Sequence, residues 1–303
     1  MYTSDDLIAA VKRYSNVPTS QTTFLPTDFL ALADDSIKAK LIPLIIKHCE
    51  EFYVRPQDYS ILNGVSIYAI PTRAVNMMLR SVQMVDLTNS NVRINLTRLN
   101  IEDLYTGMSG NRMLSQKNGF YLEGNNVVLY PPPVQVGGTL RLNYFIRPNQ
   151  LVPLASCAQI LSINTATNTI TCVALPSAWS NANTFDIVKA NPGFECTAID
   201  QAATTVTGAT ITFTTTLPIN ISVGDYICLA TQSCVVQVPP ELQPLLFQYV
   251  VIRLMSAQGD EKALEAAMRE LEALEKNAGV LLAPRVQGSV KRVTNGRAIN
   301  RLV

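Results

Sequence analysis

The sequence holds one histidine, His48, in 303 residues, and that scarcity removes most of the common catalytic devices. A Ser/His/Asp triad has only His48 to draw on. The stretch Ile45-Ile46-Lys47-His48-Cys49-Glu50 places it near the end of an apolar helical run, where a helix-terminal or half-buried structural histidine is expected, and no role is assigned to it. Neither a GxxxxGK[ST] loop nor a GxGxxG turn is present, so the usual backbone cradles for nucleotide phosphates are absent. The six cysteines, at 49, 157, 172, 196, 228 and 234, include no CxxC pair. They lack zinc-ligand spacing and the density of a small secreted scaffold, and read as reduced, packed thiols of a cytosolic protein. No cofactor and no metal are expected.

Charge is also scarce. Only 16% of residues are charged, 24 basic against 23 acidic, for a net charge of +1. A surface built throughout to hold nucleic acid needs a basic field, and an acidic solvating chain needs the opposite, so both are excluded. The longest apolar-leaning stretch, Leu41 to Ile46, contains Pro43 and falls far short of the roughly 20 residues that span a bilayer. Met1 to Arg13 opens polar and acidic, without the basic and then apolar regions of a signal peptide. What the chain does have is a 48% hydrophobic composition, enough for a large core in one or two globular domains.

The hydrophobic period changes along the chain. Residues 4 to 14 read as a helix capped by Thr3 or Ser4, with Asp5 and Asp6 in the positive first turn and Leu7, Ile8 and Val11 on one face. A second helix starts at Pro26-Thr27-Asp28 and carries Phe29, Leu32, Ala33, Ile37, Leu41, Leu44 and Ile45, with Pro43 expected to break or kink it. From Tyr59 the period is two, and Asn63-Gly64 predicts a hairpin between Tyr59-Ile61 and Val65-Ala69. Strands are expected at 79–87, 92–99 and 140–146, a short helix at 101–104, and a second hairpin over 120–130. These strands are expected to form one sheet or small barrel.

Between about Ala155 and Val235 the only charged residues are Asp186, Lys189, Glu195, Asp200 and Asp225. Short β-rich runs at 160–163, 169–173, 185–188, 196–199, 210–213 and 225–229 alternate with turn residues, as in a small barrel or sandwich. Its threonines read as a solvated sheet face, with carbohydrate binding as the minority alternative. Helix returns at 240–257 and again at 261–278, where Leu264, Ala267, Met268, Leu271 and Leu274 form a stripe, Glu265–Arg269 and Glu272–Lys276 are favourable pairs, and Gly279 is the stop. The fold class is therefore α+β, a helical body with a small β-sheet and an inserted, Thr-rich β-barrel or sandwich. The parts are an N-terminal helical and β part of the body (1–154), the β insertion (155–235), the C-terminal helices (236–283) and a tail (284–303). That tail carries Arg285, Lys291, Arg292, Arg297 and Arg301 and no acid. An arm that orders on a partner and a solvated tail are weighed equally on composition.

Paired carboxylates at Asp34-Asp35, Glu50-Glu51 and Glu102-Asp103 are adjacent in sequence, so on a helix each pair points about 100° apart and does not converge on a substrate. Hydrolysis by acidic residues is the weakest functional hypothesis and no catalytic residue is assigned. Arg141, Arg147 and the tail arginines could line a DNA passage, though without the interleaved aromatics of a single-strand platform.

The blocks Tyr59-Ser60-Ile61 through Ile70-Pro71-Thr72-Arg73-Ala74, Gly119 to Gly124, Leu129-Tyr130-Pro131-Pro132-Pro133, Thr139 to Val152 and the Gly259-Asp260 helix junction, in that order, resemble head-to-tail adaptor (connector) proteins of tailed bacteriophages. The resemblance implies a non-enzymatic virion protein that forms a homo-oligomeric ring of about twelve copies below the portal protein, in the neck between head and tail. It implies assembly in the host cytoplasm, a tail or nozzle protein as second partner, no membrane, and genomic DNA passing through the channel without sequence recognition. Carried onto this chain, the helices form the ring body and the arm, with Arg285, Lys291, Arg292, Arg297 and Arg301, docks on the portal. The alternative function is a virion attachment or carbohydrate-binding module carried by the Thr-rich β domain.

Overall fold

The first helix is set by its cap. In the computed structural model, which describes residues 3–15, 17–18, 23–85, 93–100, 119–134, 137–190, 195–259 and 261–282, helix α1 spans Ser4–Tyr14. The Thr3 hydroxyl accepts from the Asp6 N–H, and the Thr3 N–H donates to the Asp6 carboxylate at 3.0 Å, a reciprocal pair that satisfies two orphan donors. Leu7, Ile8 and Val11 are buried as expected. Helix α2 (Pro26–Ser36) opens on Leu25, whose side chain cannot accept; the Asp28 carboxylate instead takes the Leu25 N–H at 2.8 Å.

Pro43 does not break this segment. A π-helical turn, Ile37–Leu41, widens the helix just ahead of it, and α3 (Ile42–His48) continues. Proline lacks the N–H of an ordinary helical bond and its ring crowds the carbonyl four residues back; the widened turn accommodates this. Phe29, Ala33, Ile37, Leu41 and Ile45 therefore stay in line and fully or nearly fully buried.

Helix α4 (Gln243–Gln258) is apolar almost all round, and it lies in the middle of the helical body with Leu246, Val250 and Leu254 completely buried. Gly259, at φ +77°, takes the left-handed conformation that ends it. Helix α5 (Glu261–Leu281) folds back along α4, fixed by a 2.7 Å bond from the Gln248 side chain to the Ala267 carbonyl. Two expectations need correction here. Gly279 does not end α5, because a single glycine costs only about 1 kcal/mol relative to alanine and a long packed helix absorbs that. Met268 faces solvent, 57% exposed, while Leu264, Leu271 and Leu274 pack on the core.

Between the helices the strands are β1 (Val54–Ser60), β2 (Ile67–Ala69), β3 (Ala74–Val85), β4 (Arg93–Asn95), β5 (Thr97–Arg98), β6 (Gly119–Glu123), β7 (Asn126–Tyr130), β8 (Thr139–Ile146) and β9 (Gln150–Leu151). The β6–β7 hairpin and β8 fall where the alternation put them. One sheet or barrel does not form; two four-stranded sheets do, ordered β1-β8-β3-β4 and β2-β7-β6-β5. Asn63-Gly64 is a turn, with Gly64 at φ +74°, but it joins the two sheets and closes no hairpin. β1 pairs along its whole length with β8, and β2 pairs with β7. Ile61, 2% exposed, exchanges backbone bonds with the Gly137-Gly138 segment and drops into the core that the two sheets share with Tyr68, Val127, Leu140 and Leu142. Burying Ile61 between sheets wins over local closure of the hairpin. The expected helix at 101–104 lies outside the described residues.

The β-rich segment forms a closed six-stranded barrel, β10 (Ala158–Asn164), β11 (Thr169–Cys172), β12 (Thr184–Val188), β13 (Cys196–Thr207), β14 (Thr210–Phe213) and β15 (Tyr226–Leu229), in the order β10-β11-β14-β13-β12-β15. Closure leaves no free edge. Ile160, Ile170, Phe185, Ile187, Ile211 and Ile227 fill it, and the lone tryptophan, Trp179, meets Phe185 edge-on at 5.0 Å. On the outer wall the Thr169 and Thr212 hydroxyls hydrogen-bond at 3.1 Å and those of Thr204 and Thr214 at 3.3 Å. Cross-strand pairing of this kind uses four of the segment's threonines.

The chain enters the barrel along β9 and leaves it along β16 (Gln232–Ser233), and these two short strands run parallel and paired. Asp34 of α2 reaches this neck: its carboxylate, 5% exposed, accepts the Leu151 N–H at 3.0 Å. Burial raises the Asp34 pKa above its ordinary 3.8, only partly offset by that bond and by Lys38. The folded state therefore holds the proton more tightly than the unfolded chain does. Asp34 favours folding below pH 3.8, and that contribution is lost as pH rises through the folded pKa. Asp34→Asn keeps an oxygen for Leu151 and removes the charge. Thermal denaturation across pH 3–7 should show a higher melting temperature for D34N at neutral pH, with the difference closing below pH 3.8. A loss at neutral pH would mean that the Lys38 pair outweighs burial.

Candidate functional site

The strongest concentration of buried polar chemistry lies where the neck meets the sheets. Arg73 comes from the tight turn before β3, and its guanidinium faces strands β12 and β13 of the barrel. Its Nη2 donates to both carboxylate oxygens of Asp186 at 2.7 Å and to Asp200 Oδ1 at 2.7 Å, its Nε to Asp200 Oδ2 at 3.2 Å, and its Nη1 to Asn149 Oδ1 at 2.9 Å. Asp186, on β12, is wholly buried, and the Arg73 side chain is 9% exposed. The carboxylate is further satisfied by Asn149 Nδ2 at 2.7 Å and by the backbone N–H groups of Asp200 at 2.9 Å and Thr231 at 3.0 Å. Burial disfavours the Arg73 charge, but the hydrogen bonds and charges of Asp200 and Asp186 outweigh it and raise its pKa.

Asn149 links this cluster to the body. Its N–H donates to Gln237 Oε1 at 2.6 Å, and the Gln237 carbonyl takes the Tyr53 hydroxyl at 3.0 Å. Arg55 of β1 adds a second rivet by donating to the Cys196 and Thr197 carbonyls at the start of β13. A cleft of about 690 Å³ opens beside these groups, lined among others by Tyr53, Arg55, Arg147, Asn149 and Thr197. Arg55, Asn149, Gln237 and Tyr53 of its lining are committed to hydrogen bonds that hold the parts together.

The tail residues Arg285, Lys291, Arg292, Arg297 and Arg301 lie outside the described residues, as does Glu102-Asp103. Arg141 is not a free cation: Asp58 on the neighbouring strand takes two bonds from it at 2.7 Å. Arg147 is exposed at the cleft. His48 ends α3, exposed, as its position in the sequence suggested. Asp34 is buried against the neck, while Asp35 turns outward to Arg253 at 3.5 Å, so this carboxylate pair diverges. Among the described residues no nucleophile, base and acid converge. No helix among them is long and apolar enough to cross a membrane.

The cysteines contain a surprise. All six are free and buried, as the reading of packed thiols required. Yet Cys157, Cys228 and Cys234 converge, their sulfurs all within 4.8 Å of one another. The spacing in the chain offered no signal for this, because one thiol enters the barrel, one sits on its last strand and one lies on the exit. Mutual S–H donation makes Cys234 the first of the three to ionise, its pKa lowered by Cys157 and Cys228.

The body and the barrel are riveted through a narrow neck, where Arg73, Asn149, Asp186 and Arg55 are used for joining. The model of the SU10 adaptor protein family matches residues 2–192, more than half of the chain. The protein belongs to that family, a phage adaptor family. No curated protein matches it. The matched stretch holds Arg73, Asn149 and Asp186; β13 to β16, α4 and α5 follow it.

The knot is testable by unequal losses. Arg73→Met leaves the Asp186 charge buried without its counterion, for an expected cost of roughly 3–5 kcal/mol, whereas Asp200, 52% exposed, should cost less than about 1 kcal/mol on change to Asn. Urea midpoints measure both, and equal losses would show that Asp186 does not carry the knot.

Proposed function

We propose that this protein is a head-to-tail adaptor, a virion structural protein and not an enzyme. About twelve copies form a ring below the portal protein, join the head to the tail and extend the DNA channel. In this reading the body comprises residues 1–154 and 236–283, the barrel is the insertion at 155–235, and the arm 284–303 docks on the portal through Arg285, Lys291, Arg292, Arg297 and Arg301. The second partner is a tail or nozzle protein, and the site of action is the virion neck after assembly in the host cytoplasm.

The observation that carries the proposal is the family match over residues 2–192. The physical features agree with it. α5 packs against α4 on one side and leaves Met268, Val280 and Leu281 more than half exposed, apolar surface that a neighbouring copy in a ring would cover. The net charge of +1 suits a channel wall, since many basic groups would hold duplex DNA and slow its passage. Arg141, already paired with Asp58, adds little to such a field. The five cations of the tail are a local basic concentration in a chain of net charge +1, as a docking arm would carry.

Removal of residues 284–303 is expected to abolish binding to portal rings of the same virus while leaving the melting temperature unchanged. Negative-stain imaging with mass measurement of full-length and truncated protein, alone and mixed with portal, reads both. Undiminished binding after truncation would take the arm out of the interface. A full-length monomer indifferent to portal would overturn the adaptor assignment.

A further inference from the structure

We propose that Cys157, Cys228 and Cys234 form a structural zinc site that staples the neck of the barrel. The three residues belong to the three strands of chain that meet there. Cys157 immediately precedes β10, Cys228 lies on β15 and Cys234 follows β16. Their sulfurs lie within 4.8 Å of one another. A tetrahedral zinc with Zn–S bonds of about 2.3 Å sets its sulfurs about 3.8 Å apart, inside that span. Cys228 and Cys234 are fully buried and Cys157 is 9% exposed, in a pocket otherwise walled by Val188, Val235, Leu154 and Tyr226.

Soft thiolate sets of this kind select d¹⁰ ions such as Zn²⁺ and Cu⁺. Charge decides between them. Three thiolates around Zn²⁺ leave a net charge of −1, whereas the same three around Cu⁺ leave −2, and in an apolar pocket the smaller residual charge is the less costly to bury. The preference is therefore for zinc with a neutral fourth ligand. Ser4 stands against this cluster: its N–H donates to the Cys234 carbonyl at 2.7 Å, and its hydroxyl, wholly buried, has no hydrogen-bond partner among the described residues. An orphan buried hydroxyl is a group that calls for a partner, and this one belongs to a residue bonded to the Cys234 backbone.

On binding, each ligating thiol gives up its proton to solvent and the sulfur lone pair bonds to the ion; no oxidation takes place. The result joins the entry strand, the last barrel strand and the exit segment at one point, on the opposite chemistry from the Arg73 knot but serving the same neck.

Zinc content of the full-length protein, purified under reducing conditions without chelators, should be one ion per chain by mass spectrometry. Replacement by Co²⁺ should bring a thiolate-to-cobalt charge-transfer band in the near ultraviolet and the red-region bands of a tetrahedral site. Cys157→Ser and Cys234→Ser should each lose the band, while Cys49→Ser, in the helical body, should keep it. Chelation should lower the melting temperature of the wild type and leave that of the Cys234→Ser variant unchanged. The unaltered protein decides the matter if the variants fail to fold. No zinc, and no cobalt band with all six thiols verified free, would overturn the proposal. A disulfide between any two of the three in freshly prepared protein would overturn it as well.

Discussion

Asp186 has lost all contact with water, and a carboxylate in that state must be matched by a positive charge and by enough donors to occupy its lone pairs. Arg73 supplies the charge from across the neck, and Asn149 and two backbone N–H groups supply the remaining donors. None of these partners is close to Asp186 in the chain, so the carboxylate is satisfied only when the sheets, the neck and the barrel are all in place. Such a cluster adds little net stability compared with an apolar substitute of the same shape, but displacing Arg73 leaves the buried carboxylate without its counterion. That makes it a device for orientation.

Each part otherwise keeps its own core. The helical body buries Leu7, Phe29, Leu41, Leu246 and Val250, the two sheets bury Ile61, Val127 and Leu142, and the barrel buries Phe185, Ile187 and Ile211. Closure of the barrel and the pairing of β9 with β16 consume the backbone groups that an exposed edge would offer to strangers. For an adaptor, whose work is to contact chosen partners and no others, that restraint matters as much as stability. The neck is then crossed by three kinds of bond: the ion cluster at Arg73, the Arg55 rivet onto the start of β13, and the gathered thiols.

Much of this was legible from local pattern. The cap at Thr3 or Ser4, the apolar rows of α2 and α4, the hairpin over 120–130 and the six short runs of the barrel are all signals that act within a few residues, and each produced the element it announced. The failures share a cause. Asn63-Gly64 made its turn, but Ile61 found better burial between two sheets than a hairpin could offer, and β1 found a longer ladder in β8. Pro43 was absorbed by a π turn because the residues on both sides were already held in the helical core. Gly279 stayed helical because Ala278 and Leu282, on either side of it, are buried in the helical core.

For the candidate site the division is sharper. The sequence by itself determined that this protein has almost no net charge, one histidine, no nucleotide-binding loop, a mixed α and β architecture and a basic end, because composition and short-range periodicity are properties of the chain before it folds. Arg73, Asp186 and the three cysteines were visible there only as an arginine after a proline turn, an acid in a β run and thiols without ligand spacing. Which of them meet was decided by the tertiary structure alone, since a buried charge or a soft sulfur takes its partners from whatever the closing barrel and the neck bring within reach, regardless of their separation along the chain.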